Sequence, residues 1–148
     1  MKLITFFRKK LGPLTFVSDL LTGYMRRRMV WSPWGTLRLH HILSSDAGRD
    51  LHDHPWDFTS ILLSRGYTEH LPGGFRSGIK HWPRFSVVKH KAEDLHSLKL
   101  DGPCWTFVIT GPVRRDWGFQ TSQGWLSHKV YDGVSMGKRG AADEDQNQ

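Results

Sequence analysis

From residue 31 onward the chain runs in short stretches where apolar and polar positions alternate, separated by Gly, Pro and Asp, a pattern of strands joined by tight turns. It predicts strands at 36–43, 50–54, 58–63, 66–70, 85–90, 95–100, 105–110, 116–119 and 125–131. No long helical pattern lies among them, which argues for an all-β, closed or two-sheet antiparallel structure. The first thirty residues read differently. Leu3, Phe6, Phe7, Leu11, Leu14, Val17, Leu20, Leu21 and Tyr24 recur near the helical period, broken at Gly12-Pro13 and ended by Gly23, so one or two short helices are expected to pack on the main domain. The stretch 71–84, with Pro72-Gly73-Gly74 and Gly78, is expected to be a loop. From Ser135 the residues are small, polar and charged and read as a disordered tail. The expected organisation is a helical extension over 1–30, a barrel over 31–134 and a tail over 135–148.

Composition changes this picture in two places. The formal charge of +7 would suggest a polyanionic partner. Residues 1–30, however, carry Lys2, Arg8, Lys9, Lys10, Arg26, Arg27 and Arg28 against Asp19, a net +6, and leave +1 for the rest. The charge is read as a solvated N-terminal arm, with nucleic acid unlikely as its partner. The single Cys, Cys104, allows no intramolecular disulfide and fits a reducing compartment. It opens an apolar run and reads as core. Arg8-Lys9-Lys10 interrupts the apolar start too early for a signal peptide, and no stretch is long enough to span a bilayer. A soluble, cytoplasmic protein is expected.

The candidate chemistry lies in Leu51-His52-Asp53-His54-Pro55-Trp56-Asp57-Phe58-Thr59. On a strand His52 and His54 share a face about 7 Å apart, within reach of one ion, and Asp53 faces away. Pro55 ends the strand and lets Trp56 and Asp57 turn back, which makes Asp57 a candidate carboxylate ligand. His96 alternates with Leu95 and Ser97 and shares a face with Leu98 and Leu100, so it points inward, where a polar group must be paired or ligated. Three His with an optional Asp57 suit a divalent transition metal such as Fe, Mn, Ni, Cu or Zn. The competing account is a set of sheet histidines bonded to backbone. Of Arg114 and Arg115 only one can face the pocket, there to hold a carboxylate or phosphate; the alternative is an outer pair with Asp116 or Glu69. Arg38 and His40 share one face of an early strand and His41 takes the other. Trp56 and Tyr67 are candidate walls. No Gly-rich phosphate loop opens a helix, and nothing marks an activated Ser or Cys.

His52-x-His54, Gly66 twelve residues after His54, and His96 about forty residues after the pair resemble the two motifs of the cupin superfamily, a small antiparallel double-stranded β-helix (jelly-roll) barrel. More closely, His52-Asp53-His54-Pro55-Trp56-Asp57-Phe58-Thr59-Ser60 and 106–119 are similar to small cupin-like proteins of bacteriophage and bacterial genomes, over about residues 35–131. The first cupin motif places a Glu four or five residues after its second His, where this chain has Phe58 and Thr59. Either Asp57 substitutes, or the site is three-His, as in thiol-dioxygenase-type cupins. The second motif has Gly and Asn where this chain has Glu93 and Leu100, so it survives mainly as His96. The resemblance implies a metal-binding cupin; together with the residue reading, this puts metal on His52, His54, His96 and Asp57 and substrate contacts on Arg115, Arg38, Trp56 and Tyr67. It implies binding of a small anionic metabolite, with dioxygenase-type turnover as the reaction class. The rivals are a non-catalytic small-ligand or nucleotide-binding accessory protein of phage type, and partner or nucleic-acid binding through the basic N-terminus. No membrane partner is expected, and a homodimer is left open.

Overall fold

The computed structural model of the 148-residue chain describes residues 2–46, 50–73 and 78–131. Its first three strands, β1 (Leu3–Leu11), β2 (Leu14–Leu21) and β3 (Met25–Ser32), form an antiparallel meander that continues into β4 (Gly35–Ile42). The helices expected over 1–30 are therefore corrected to strands. Gly12-Pro13 is a hairpin turn and not a helix break: Leu11 faces Leu14 across it, and Gly12, at φ +57, takes the first turn position that glycine favours in such hairpins. Phe, Val, Thr and Leu on both strand faces gave no clean two-residue alternation, and pairing with β4 decided the matter. Nor is the basic segment an arm. Arg27 turns to the inner face and binds buried Asp19 through two bonds of 2.7 and 2.9 Å, while Arg26 and Arg28 take the other face.

The remaining strands are β5 (Leu51–His52), β6 (Phe58–Ser64), β7 (Tyr67–His70), β8 (Ile79–Trp82), β9 (Val87–His90), β10 (Ser97–Lys99), β11 (Cys104–Thr110), β12 (Gly118–Thr121) and β13 (Gly124–Ser127). They agree with the expected strands except that 125–131 ends in a helical turn after Ser127, and that β8 arises inside the expected loop. A seven-stranded antiparallel sheet has the order β1-β2-β3-β4-β11-β6-β9. Two three-stranded sheets, β10-β7-β8 and β13-β12-β5, are joined edge to edge by an antiparallel bridge between His52 and His96. Leu62, Tyr67, Val88 and Cys104 form the buried core between the layers, with Trp82, Leu98 and Leu100 packed on it. Cys104 is fully buried, as expected of a core residue. Gly66 allows the close approach of β7 to β8, because a Cβ there would meet the Trp82 carbonyl oxygen at 2.2 Å. No helix among the described residues is long and apolar enough to cross a membrane. The expected tail, 135–148, lies outside the described residues.

Candidate metal centre

The segment 51–54 lies between two backbones. His52 exchanges two 2.9 Å hydrogen bonds with His96, and the His54 amide donates to the Ala92 carbonyl at 3.0 Å, while the Asp53 amide donates to the Gly118 carbonyl on the opposite side. Alternation thus sends His52 and His54 inward together, and the bridge sets His96 beside them. The ligating atoms of the three imidazoles all lie within 4.8 Å of one another. His54 Nε2 and His96 Nε2 are 2.8 Å apart. Two nitrogens bound at right angles to one ion at about 2.1 Å would stand about 3 Å apart, so the donor set fits a divalent transition metal.

The protonation states agree with this fit. Burial, and then the neighbouring His96, His52 and His90 imidazoles and Arg38, hold the His54 pKa well below the usual histidine value, so His54 is neutral and keeps a lone pair. His96 is buried, and its Nδ1–H donates to Glu69 Oε1 at 2.6 Å, which leaves Nε2 as the free lone pair facing His54. A carboxylate that fixes the tautomer of a histidine is the usual support of a metal ligand. Glu69, 1% exposed, also accepts Trp82 Nε1–H on Oε2 at 2.8 Å, and His90 Nε2 stands 2.7 Å from Oε1, off the line of a straight hydrogen bond. Burial works to raise the Glu69 pKa, but His90, His96 and Trp82 outweigh it and hold the group ionised, below the ordinary carboxylate range. For His90 burial is likewise overcome by Glu69 and Asp94, and its pKa is raised. Glu69, His90 and His96 form a second ligand-like cluster that shares His96 with the first. Trp56 stacks on His54 (5.0 Å, 17°), Phe58 meets its edge, and Phe119 lies 5.9 Å from His52, so the triad is walled by rings.

Other expected residues stand elsewhere. Asp57 is corrected as a ligand: its Oδ1 accepts from the Ala92 amide (2.8 Å) and Arg114 Nη2 (2.6 Å), Lys91 lies at 3.3 Å, and it belongs to neither cluster. The Ala92 amide lowers its pKa most, desolvation opposes it, and the Arg114 and Lys91 bonds add to the lowering. Arg115 does not face the triad either. Its Nη1 binds Asp53 Oδ2 at 2.6 Å, and buried Asp53 also accepts from Trp125 Nε1 and the Gly118 amide. Gly118 permits this, since a Cβ there would meet the Leu126 carbonyl oxygen at 2.0 Å. Tyr67 is in the core, bonded to Ser60, its phenol pushed up by burial and the Glu69 charge. Arg38 is on the inner face of β4, 4.4 Å from the Trp56 ring centroid, and His40 is beside it, its pKa lowered to about 3 by burial and by Arg38 and Arg27. His41 faces outward, stacked on Trp105 at 4.3 Å. There a groove of about 440 Å³, lined by Phe6, Leu20, Arg26, Arg28, Leu39 and Trp105, holds no triad residue.

Sequence reasoning missed Glu69 and His90. The available signal was alternation: Glu69 follows buried Tyr67 by two, and His90 follows buried Val88 by two. A buried carboxylate thus reaches His96 from β7, as its hydrogen-bond partner.

In sequence the chain matches no family model and no curated protein. Solved structures match it in shape. A cupin-2 domain protein from Rhodospirillum rubrum is similar at TM-score 0.55 and 12% identity, over 83% of this chain and 77% of that one. An RmlC-like cupin from Shewanella frigidimarina is similar at TM-score 0.53 and 13% identity, over 66% and 85%. Fe(II) HppE is similar at TM-score 0.50 and 9% identity, over 70% and 59%. With its seven-stranded sheet facing two three-stranded sheets that are joined at the His52–His96 bridge, the chain has the double-stranded β-helix fold of these cupin structures.

Proposed function

We propose that this protein holds one divalent transition ion on His52, His54 and His96 and uses it to bind or transform a small anionic metabolite in the barrel. The observation that carries the reading is the meeting of three imidazoles, one neutral by burial and one with its tautomer set by a buried carboxylate. A bound ion would supply Lewis acidity and open coordination positions. His52, His54 and His96 would hold it, Glu69 orients His96, and Trp56, Phe58 and Phe119 exclude water. Dioxygenase-type turnover is the reaction class implied by the cupin resemblance. Retention of a ligand without turnover would instead mark an accessory binding protein of phage type. Nucleic acid is not the partner proposed, because the basic residues of β1–β3 are divided between two sheet faces and Arg27 is neutralised by Asp19.

The test is metal content. Protein purified without a His-tag and reconstituted with Fe, Mn, Ni and Zn in turn should carry about one ion per chain, because converging buried imidazoles are costly unless ligated. The double variant His52→Ala/His54→Ala should carry none. Stoichiometric metal in that variant, or none in the wild type under any of the four, refutes the assignment.

A further inference from the structure

Among the described residues, Arg38 is the one strongly buried guanidinium that has no carboxylate. It is 6% exposed, and no ion pair joins it to any described residue, since Asp19, the acid nearest in register, is taken by both nitrogens of the Arg27 fork. Its Nε donates to Thr36 Oγ1 at 2.7 Å, and its two Nη groups have no hydrogen-bond partner among the described residues. What surrounds the charge is aromatic: its Cζ lies 4.4 Å from the Trp56 ring centroid and 5.4 Å from that of Trp31. Indole faces compensate a desolvated cation only in part. Burial accordingly lowers the Arg38 pKa to about 10, with Arg27 adding to the effect and Asp19 offsetting a little of it. A buried cation kept unpaired is poor for stability and needs another explanation.

Position supplies one. On β3, Trp31 pairs with Thr36 and is 41% exposed, whereas Met29 pairs with Arg38 one step deeper. The guanidinium therefore sits one layer beneath a rim of indole, and Trp56, which it also meets, stacks on His54 of the imidazole triad. We propose that Arg38, between Trp31 and Trp56, is the anion subsite of the barrel and takes the carboxylate of a small ligand whose other end reaches the triad; this deepens the metal-site reading and rests on it for that other end.

Charge count selects carboxylate over phosphate. Arg27 is already neutralised by Asp19, so among the described residues Arg38 is the one guanidinium of the subsite left to balance. One carboxylate balances it and matches the planar fork bidentately. A phosphate, at −1.5 to −2 near neutral pH, would leave net negative charge beside the indoles.

The test uses the whole chain as purified, with its metal content measured in the same sample. Propionate, inorganic phosphate and neutral propionamide are titrated while the indole N–H signals are followed by NMR, assigned through Trp31→Phe and Trp56→Phe. Propionate should shift the Trp31 and Trp56 signals saturably, with phosphate weaker and propionamide inert. Arg38→Met should weaken propionate at least tenfold and melt at or above the wild-type temperature, since it removes an unpaired buried charge at nearly constant volume. Arg38→Lys, which keeps the charge and loses the fork, should weaken it at least threefold. Absence of a saturable propionate response, equal affinity in either variant, or phosphate binding tighter than propionate overturns the proposal. A wild type that binds propionate through Arg38 yet takes up no metal supports the subsite and refutes the metal centre, so the two failures are separable.

Discussion

Glu69→Gln tests the architecture of the centre with the smallest change of shape. In the native side chain Oε1 accepts from His96 Nδ1 at 2.6 Å beside His90 Nε2 at 2.7 Å, and Oε2 accepts from Trp82 Nε1 at 2.8 Å. A glutamine has one acceptor where the glutamate has two. If its oxygen serves His96, its NH2 is turned on the Trp82 N–H; if it is flipped, the NH2 meets His96 and His90. Either way one buried N–H is left unsatisfied, at about 1–3 kcal/mol, and the surviving bond loses its charge assistance, about 1 kcal/mol more. The metal-free variant should thus be less stable by about 2–4 kcal/mol, which a domain worth 5–15 kcal/mol survives. Metal affinity should fall separately, by about 10–100-fold, because His96 loses the partner that fixes its Nδ1 proton. Urea unfolding of the metal-free protein reads the first quantity, and chelator competition for Zn(II) or Co(II) reads the second. A folded variant that is destabilised but binds metal within about twofold of wild type would make Glu69 a structural group only. Unchanged stability would contradict the hydrogen-bond network itself.

The pH dependence of the metal-free protein follows from three histidines. His54 and His40 have depressed pKa values, the latter about 3, so each protonates on unfolding below its ordinary 6.5 and stability falls as pH drops through that value. His90 is raised, so its contribution is full below 6.5 and is lost as pH rises through its folded pKa. Urea midpoints should therefore peak near pH 6.5, and a midpoint that climbs steadily from pH 5.5 to 8 would remove the His90–Glu69 interaction. Arg115→Met should cost about 2–3 kcal/mol, because Asp53 is left charged and 2% exposed while Arg115 itself is 31% exposed on its side chain. Its metal content should stay at the wild-type level; loss of metal from the folded variant would return Arg115 to the site. Asp57→Asn, at an exposed pair with Arg114, should leave the urea midpoint close to that of the wild type and metal binding intact. A metal loss equal to that of His96→Ala would make Asp57 a ligand after all.

The features legible along the chain were those set by neighbours one or two residues away. Strand backbone puts every second side chain on one face, so the sequence alone groups His52 with His54, turns Asp53 away and sets His96 inward with Leu98 and Leu100. The same local rule misread residues 1–30. Their apolar residues lie on both faces of β1–β3, so spacings of three and four arose by coincidence, and only hydrogen bonding to β4 excluded the helix. Partners across the molecule were beyond local reach for the same reason. Asp57, placed near the site by the turn at Pro55, is drawn away by Ala92 and Arg114, which are 35 and 57 residues distant. Arg115 finds Asp53 across 62 residues. Glu69 and His90 reach His96 only because β7 pairs with β8 and β10 while β9 pairs with β6, long-range registers that alternation along one strand does not encode. Tertiary pairing likewise left Arg38 buried without an acid among the described residues, by giving Asp19 to Arg27 one strand away.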